Sequence, residues 1–154
     1  MDQKQVSEVL NFAIEKEQEA VDLYTNLSAK TNRSQMKIVF EQFAAEERGH
    51  KAKLQNLRNN QTLLEKNLLE VKAKVPDLKI GDYLVDVDVA GELDYQQSLI
   101  LAMKNEKAAF RLYSDLAAQA GGDLQQLFLG LAQEEARHKL RFEVEYDDNI
   151  LKDN

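Results

Sequence analysis

The sequence predicts an all-α protein, an antiparallel four-helix bundle made of two helix pairs joined by a long crossover. Three observations predict it. The composition favours helix: Ala, Leu, Glu, Lys and Gln abound, while the 154 residues include one proline, six glycines and no tryptophan. Four long segments repeat apolar residues at i, i+3, i+4 and i+7, the spacing that lines one face of a helix. Two of the gaps between these segments are short and one is long, so the chain pairs its helices locally and crosses over once. Residues 1–154 fit one domain, a length sufficient to bury a single core.

The first helix is expected over residues 4–30, with the stripe Val6, Leu10, Ala13, Glu17, Ala20/Val21, Tyr24 and Leu27. "KTNRSQ" at 30–35 is a short polar break that offers Asn32 or Ser34 as an N-cap. The second helix, over 34–58, is striped with Met36, Phe40, Phe43, Glu47, His50, Leu54 and Leu57. "TLLEKNLLEVKAKV" carries helical character on to residue 74, as a continuation or a separate piece, and Pro76 stops it. Residues 75–93 form the crossover. Their Val–Asp–Val–Asp–Val alternation has the period of an extended segment lying against the bundle.

Asp94 is well placed to cap the third helix, over 94–119. Its stripe is Leu99, Ala102/Met103, Glu106, Ala109/Phe110, Tyr113, Leu116/Ala117 and Ala120. "AGGD" at 120–123 supplies a glycine stop and then Asp123 as the next N-cap. The fourth helix runs over 123–146 with Leu124, Phe128, Leu131, Glu135, His138 and Phe142 inward.

Bulk properties exclude several functions. A formal charge of −7 argues against nucleic acid, because phosphate binding needs a basic face. No run approaches the ~18 consecutive apolar residues of a membrane span. The absence of cysteine removes disulfides, thiol catalysis and iron–sulfur ligation. "MDQKQVSEVLNF" lacks the basic end and apolar run of a signal peptide, so a cytoplasmic location is expected.

The informative residues are charged ones on buried stripes. Glu17, Glu47, His50, Glu106, Glu135 and His138 all fall where their helices should be apolar, and burying charge is costly unless it is paired or bound. They also repeat. "AIEKEQEAVDLYTNLS" (13–28) aligns with "AMKNEKAAFRLYSDLA" (102–117), matching Glu17 to Glu106 and Tyr24 to Tyr113. "FEQFAAEERGHKAKL" (40–54) aligns with "FLGLAQEEARHKLRF" (128–142), matching Glu47 to Glu135 and His50 to His138.

At ~1.5 Å of rise per residue, distance from the shared turn sets height in a helix pair. The four glutamates lie roughly 13–15 residues from their turns, which places them in one layer. Four such carboxylates repel one another, and two divalent cations neutralise them while each imidazole completes one ion's shell. Glu47 and Glu135 would bridge, and Glu17 and Glu106 would be terminal ligands. Mixed oxygen and imidazole ligation suits two iron ions, with manganese or a mixed iron–manganese pair as the alternative.

Tyr24 and Tyr113, two turns beyond the terminal glutamates, are either core tyrosines or hydrogen-bond donors that orient a ligand or a peroxide. Glu46 and Glu134 lie about 100° off the stripe and are expected to be solvated or paired with Lys or Arg. Removing Glu46 should then leave metal loading unchanged. Gly49 inside a helix suggests a close contact or a local bulge.

One glutamate on each of two helices, with Glu-x-x-His on the other two, resembles the rubrerythrin-like branch of the ferritin-like superfamily of di-iron carboxylate proteins. The resemblance spans residues 5–58 and 94–146. It implies a ferritin-like fold, Glu17, Glu47, His50, Glu106, Glu135 and His138 as metal ligands, and Tyr24 and Tyr113 as hydrogen-bonding residues behind them. It further implies a homodimer and an oxidoreductase that reduces peroxide or dioxygen. Typical members draw electrons through a rubredoxin-like iron domain, which a chain without cysteine cannot build, so a separate donor is expected, rubredoxin-like or another reductase. Typical members also carry a further glutamate where this chain has Ala109, which makes the present site more symmetric. Iron storage of the ferritin or bacterioferritin type is the alternative function, and a structural bundle with an inactive site is the second alternative.

Overall fold

Four amphipathic helices carry the stripes that the sequence spacing requires. The computed structural model describes residues 3–67, 83 and 94–151. Helix α1 is Gln3–Lys30, α2 Ser34–Arg58, α3 Gln61–Asn67, α4 Tyr95–Ala118 and α5 Gly122–Tyr146; a π-helical turn, Asp147–Leu151, follows α5. Every regular element among the described residues is a helix. None of these helices is long and apolar enough to cross a membrane.

The helix ends follow from local chemistry, with two differences from expectation. Asp94 caps α4 as predicted: its Oδ1 accepts from the Gln97 amide at 2.7 Å, and Gln97 Oε1 accepts from the Asp94 amide at 3.1 Å. This reciprocal pair satisfies two donors that the first turn leaves free. Neither Asn32 nor Ser34 caps α2. Arg33 is the extended residue at that end, without a side-chain cap, and Ser34 is already helical. The Thr31 hydroxyl oxygen instead accepts from the Arg33 amide at 3.2 Å. Gly121 takes the N-cap position of α5, so Asp123 sits within the first turn. Its charge there faces the positive end of the helix dipole. Gly122 has φ 56°, in the left-handed region that glycine enters without penalty.

Three-residue turns join α1 to α2 and α4 to α5, and each pair packs closely along its length. The core divides into two apolar clusters. One gathers Val6, Leu10, Leu54, Leu57, Tyr113, Leu124 and Phe128. The other gathers Tyr24, Leu27, Met36, Phe40, Phe43, Leu99 and Phe142. The predicted stripes are buried, with Ala20, Met103 and Ala109 only partly so, and one residue turns out: Phe110 is 41% exposed, and Ala109 is the residue of that pair that turns inward. Helical character beyond α2 extends to α3, a separate piece after a break at Asn59–Asn60. The expectations for 68–74 and for an extended crossover at 75–93 fall outside the described residues, apart from Tyr83. That side chain is buried and donates to Asp115 Oδ2 at 2.7 Å.

Candidate metal centre

Between the two apolar clusters lies a layer of charge. Glu17 comes from α1, Glu106 from α4, Glu47 and His50 from α2, and Glu135 and His138 from α5. None of the six is more than 2% exposed. Near-equal spacing from the turns puts the four glutamates at one height, as the repeat predicts, with the histidines one turn further along. The six converge in two groups that share Glu47 and Glu135: Glu17 with His50, and Glu106 with His138, the candidate ligand atoms of each group lying within 4.8 Å of one another. His50 Nδ1 is 2.7 Å from Glu135 Oε1, 3.3 Å from Glu47 Oε1 and 3.7 Å from Glu17 Oε2. His138 Nδ1 is 3.3 Å from Glu47 Oε1 and 3.5 Å from Glu106 Oε1. Both imidazoles therefore point the same nitrogen at Glu47.

Most of the outer atoms of these residues are held crosswise between the two helix pairs. The Tyr24 hydroxyl donates to Glu106 Oε1 and the Tyr113 hydroxyl to Glu17 Oε1. Each tyrosine thus supports the terminal glutamate of the opposite half. His50 Nε2 meets Glu134 Oε2, and His138 Nε2 meets Glu46 Oε2 at 2.9 Å. An ionised carboxylate only accepts, so Nε2 carries a proton in each ring and Nδ1 faces inward.

These contacts correct the expectation for Glu46 and Glu134. Glu46 does pair with Arg137, as the charged-face argument suggests, but its other oxygen takes the His138 ring. Glu134 reaches the His50 ring. The signal in the sequence was the doubled glutamate of "EERGH" and "EEARH", one carboxylate facing the layer and the next reaching across to the opposite histidine. Gly49 is also corrected: α2 runs through it as regular helix, and a Cβ there would meet no atom within 4 Å.

Burial and proximity set the proton affinities. Glu17 is pushed up to about 8, first by burial and then by the charge of Glu47. Burial and the neighbouring carboxylates, Glu106 foremost, hold Glu135 well above the usual range. Burial opposes ionisation of Glu47 too, yet the imidazoles of His138 and His50 beside it outweigh burial and hold this carboxyl low. Burial lowers the affinity of both imidazoles, but Glu17 and Glu47 raise His50 to about 11, while Glu106 and Glu47 raise His138 to about 10. Tyr24 and Tyr113 are raised well above 10 by burial and by Glu106 and Glu17 respectively, so both remain donors.

The donor atoms test whether the residues fit a metal. Glu17 Oε2, Glu47 Oε1, His50 Nδ1, Glu106 Oε2, Glu135 Oε1 and His138 Nδ1 are buried without a hydrogen-bond partner among the described residues. Apart from the amide of Gln119, which lies in the turn after α4, the buried unpartnered atoms are one from each of the six predicted ligands. Unpaired buried donors are costly and rare, and oxygen and neutral imidazole nitrogen are what a divalent transition metal takes. The residues fit.

The Rubrerythrin family model matches residues 8–96 and 97–152. The chain belongs to the rubrerythrin family. A hypothetical protein of Pyrococcus furiosus, of solved structure, is 28% identical, with a TM-score of 0.67; the match covers 92% of this chain and 87% of that one. No curated protein matches. Membership agrees with the buried carboxylate and histidine cluster. Here Ala109 lines a cavity beside the layer, with Phe12, Leu112, Glu17, Glu106 and the crossover residue Tyr83 also in its wall.

Proposed function

We propose that this rubrerythrin-family chain is a di-iron carboxylate protein that reduces peroxide or dioxygen with electrons from a separate donor. The observation that carries the proposal is the set of six buried donor atoms, one per ligand, left unpaired by the protein and gathered into two groups with Glu47 and Glu135 in common. Glu17, His50, Glu106 and His138 would be terminal ligands and Glu47 and Glu135 bridges. Two divalent ions balance the four carboxylates while both imidazoles stay neutral. Iron held there would supply two electrons, one from each ion, which together with two protons convert one hydrogen peroxide to two waters.

The chain's own groups prepare that chemistry. The tyrosines fix the terminal carboxylates, and Glu46 and Glu134 fix the imidazoles with Nδ1 inward. Apolar clusters on either side limit access by bulk water. The cavity beside Glu17 and Glu106 measures about 20 Å³, against roughly 10–15 Å³ for a single water. A peroxide-sized oxidant suits that space.

The test is an anaerobic Fe(II) titration of metal-free protein followed by peroxide. Saturation at two irons per chain, oxidation by peroxide, and repeated turnover with a chemical reductant are expected. Uptake far beyond two irons would replace the proposal with storage. Absence of saturable binding would overturn it.

A further inference from the structure

The internal repeat makes the two halves of the centre alike in their six candidate ligands, in Tyr24 and Tyr113, and in Glu46 and Glu134, but not in the residues around the histidines. In the aligned strings "EERGH" and "EEARH", Gly49 stands where the second half has Arg137. Six residues earlier, Phe43 stands where the second half has Leu131. Arg137 and Phe43 both act on the same histidine. Arg137 Nη2 donates to Glu46 Oε1, and Glu46 Oε2 takes His138 Nε2 at 2.9 Å. Phe43 lies flat against His138, with ring centroids 3.8 Å apart and planes 19° from parallel. His138 is held at its edge by a carboxylate that is itself held, and on its face by an aromatic ring.

His50 has less support. Its partner Glu134 is 40% exposed, against 28% for Glu46. Among the described residues Glu134 has no ion pair to lysine or arginine; Lys53 and Arg137 act on it only from farther away. The one aromatic ring stacked with His50 among those residues is His138, at 6.3 Å.

We infer that the two metal positions are built unequal: the one at His138 is preorganised and fills first, with Arg137, Glu46 and Phe43 as its positioning residues. The inference rests on the metal-binding reading above. A ligand fixed before the ion arrives has less freedom to lose on binding, and groups behind a ligand histidine govern its affinity.

The test titrates metal-free full-length protein anaerobically with cobalt(II), followed by calorimetry and by the visible bands of the bound ion. Two resolved steps are expected, about 10-fold or more apart in affinity. His138→Ala removes the tighter step and His50→Ala the weaker. Arg137→Ala, at a side chain 52% exposed and so harmless to the core, weakens the tighter step about 10-fold and the other step much less, since Arg137 acts on Glu134 only from farther away; Arg137→Lys recovers part of the loss. Gly49→Arg, where the added side chain starts in open space, tightens the weaker step by giving Glu134 a guanidinium. Equal steps, loss of the tighter step in His50→Ala, or equal weakening of both steps by Arg137→Ala would overturn the inference while leaving two-metal binding intact. No binding at all would overturn the metal centre itself.

Discussion

Tyr24 and Tyr113 do one job from opposite sides of the carboxylate layer, each holding an oxygen of a glutamate that belongs to the other helix pair. Replacing Tyr24 by Phe keeps the ring in its cluster and strands Glu106 Oε1. Leaving a buried acceptor unpaired costs about 1–3 kcal/mol, so urea unfolding of metal-free Tyr24→Phe should show a loss of that size. An unchanged midpoint would mean that the hydroxyl carries no structural role. Glu46→Ala should weaken metal binding about 10–100-fold at one of the two positions, because it frees the His138 ring; loading equal to wild type at limiting metal would refute that. The sequence pointed to all six candidate ligands, since charged residues on an apolar stripe are tolerated only when paired or bound, and matched heights bring these six together. It did not point to Glu46 and Glu134. A stripe is a property of one helix, and these two act across the gap between helix pairs, which the spacing along a single helix does not encode.

At the scale of elements, each helix end is a small contest between side chains and backbone for the orphan amides of the first turn. Asp94 was readable in advance because the aspartate and Gln97 three residues later form a reciprocal cap. The starts of α2 and α5 were not, since "TNRS" and "AGGD" each offer several residues of similar capping propensity, and tertiary packing selects among them. Asp94→Ala should cost about 0.5–2 kcal/mol, measured by thermal or urea unfolding. Gly49 and Gly122 give opposite expectations for one substitution. At Gly49 the backbone is helical and the space open, so Gly49→Ala should stabilise by about 0.5–1 kcal/mol. At Gly122 φ is 56°, so Gly122→Ala should destabilise by about 1–2 kcal/mol. A destabilised Gly49→Ala would show that the glycine serves a packing need absent from this structure.

Across the whole molecule, the bundle is two helix pairs facing each other over a buried acidic layer, and protons and metal ions compete to neutralise it. Without metal, Glu17 holds its proton up to about pH 8, and His50 and His138 hold theirs up to about 11 and 10. All three values are raised above those of the unfolded chain, roughly 4.3 for Glu and 6.5 for His. A raised group contributes stability that is complete below its unfolded value and is lost as pH rises through its folded value. Glu17 therefore withdraws stability between about pH 4 and 8, and the histidines between about pH 6.5 and 11. Glu47, held low, acts in the opposite sense and only in acid: its contribution is lost as pH falls below the usual carboxylate range. Metal-free protein should thus be most stable near pH 5, with a melting temperature that declines steadily through neutral and alkaline pH. Cations in the layer replace those protons, so metal binding releases protons and tightens as pH rises. Melting curves of metal-free and metal-loaded protein, measured in parallel from pH 5 to pH 9, should diverge, with the gap widening toward alkaline pH. A metal-free melting temperature that is flat or rising over that range would mean that the layer does not hold protons in place of metal, and that its charge is balanced in some other way.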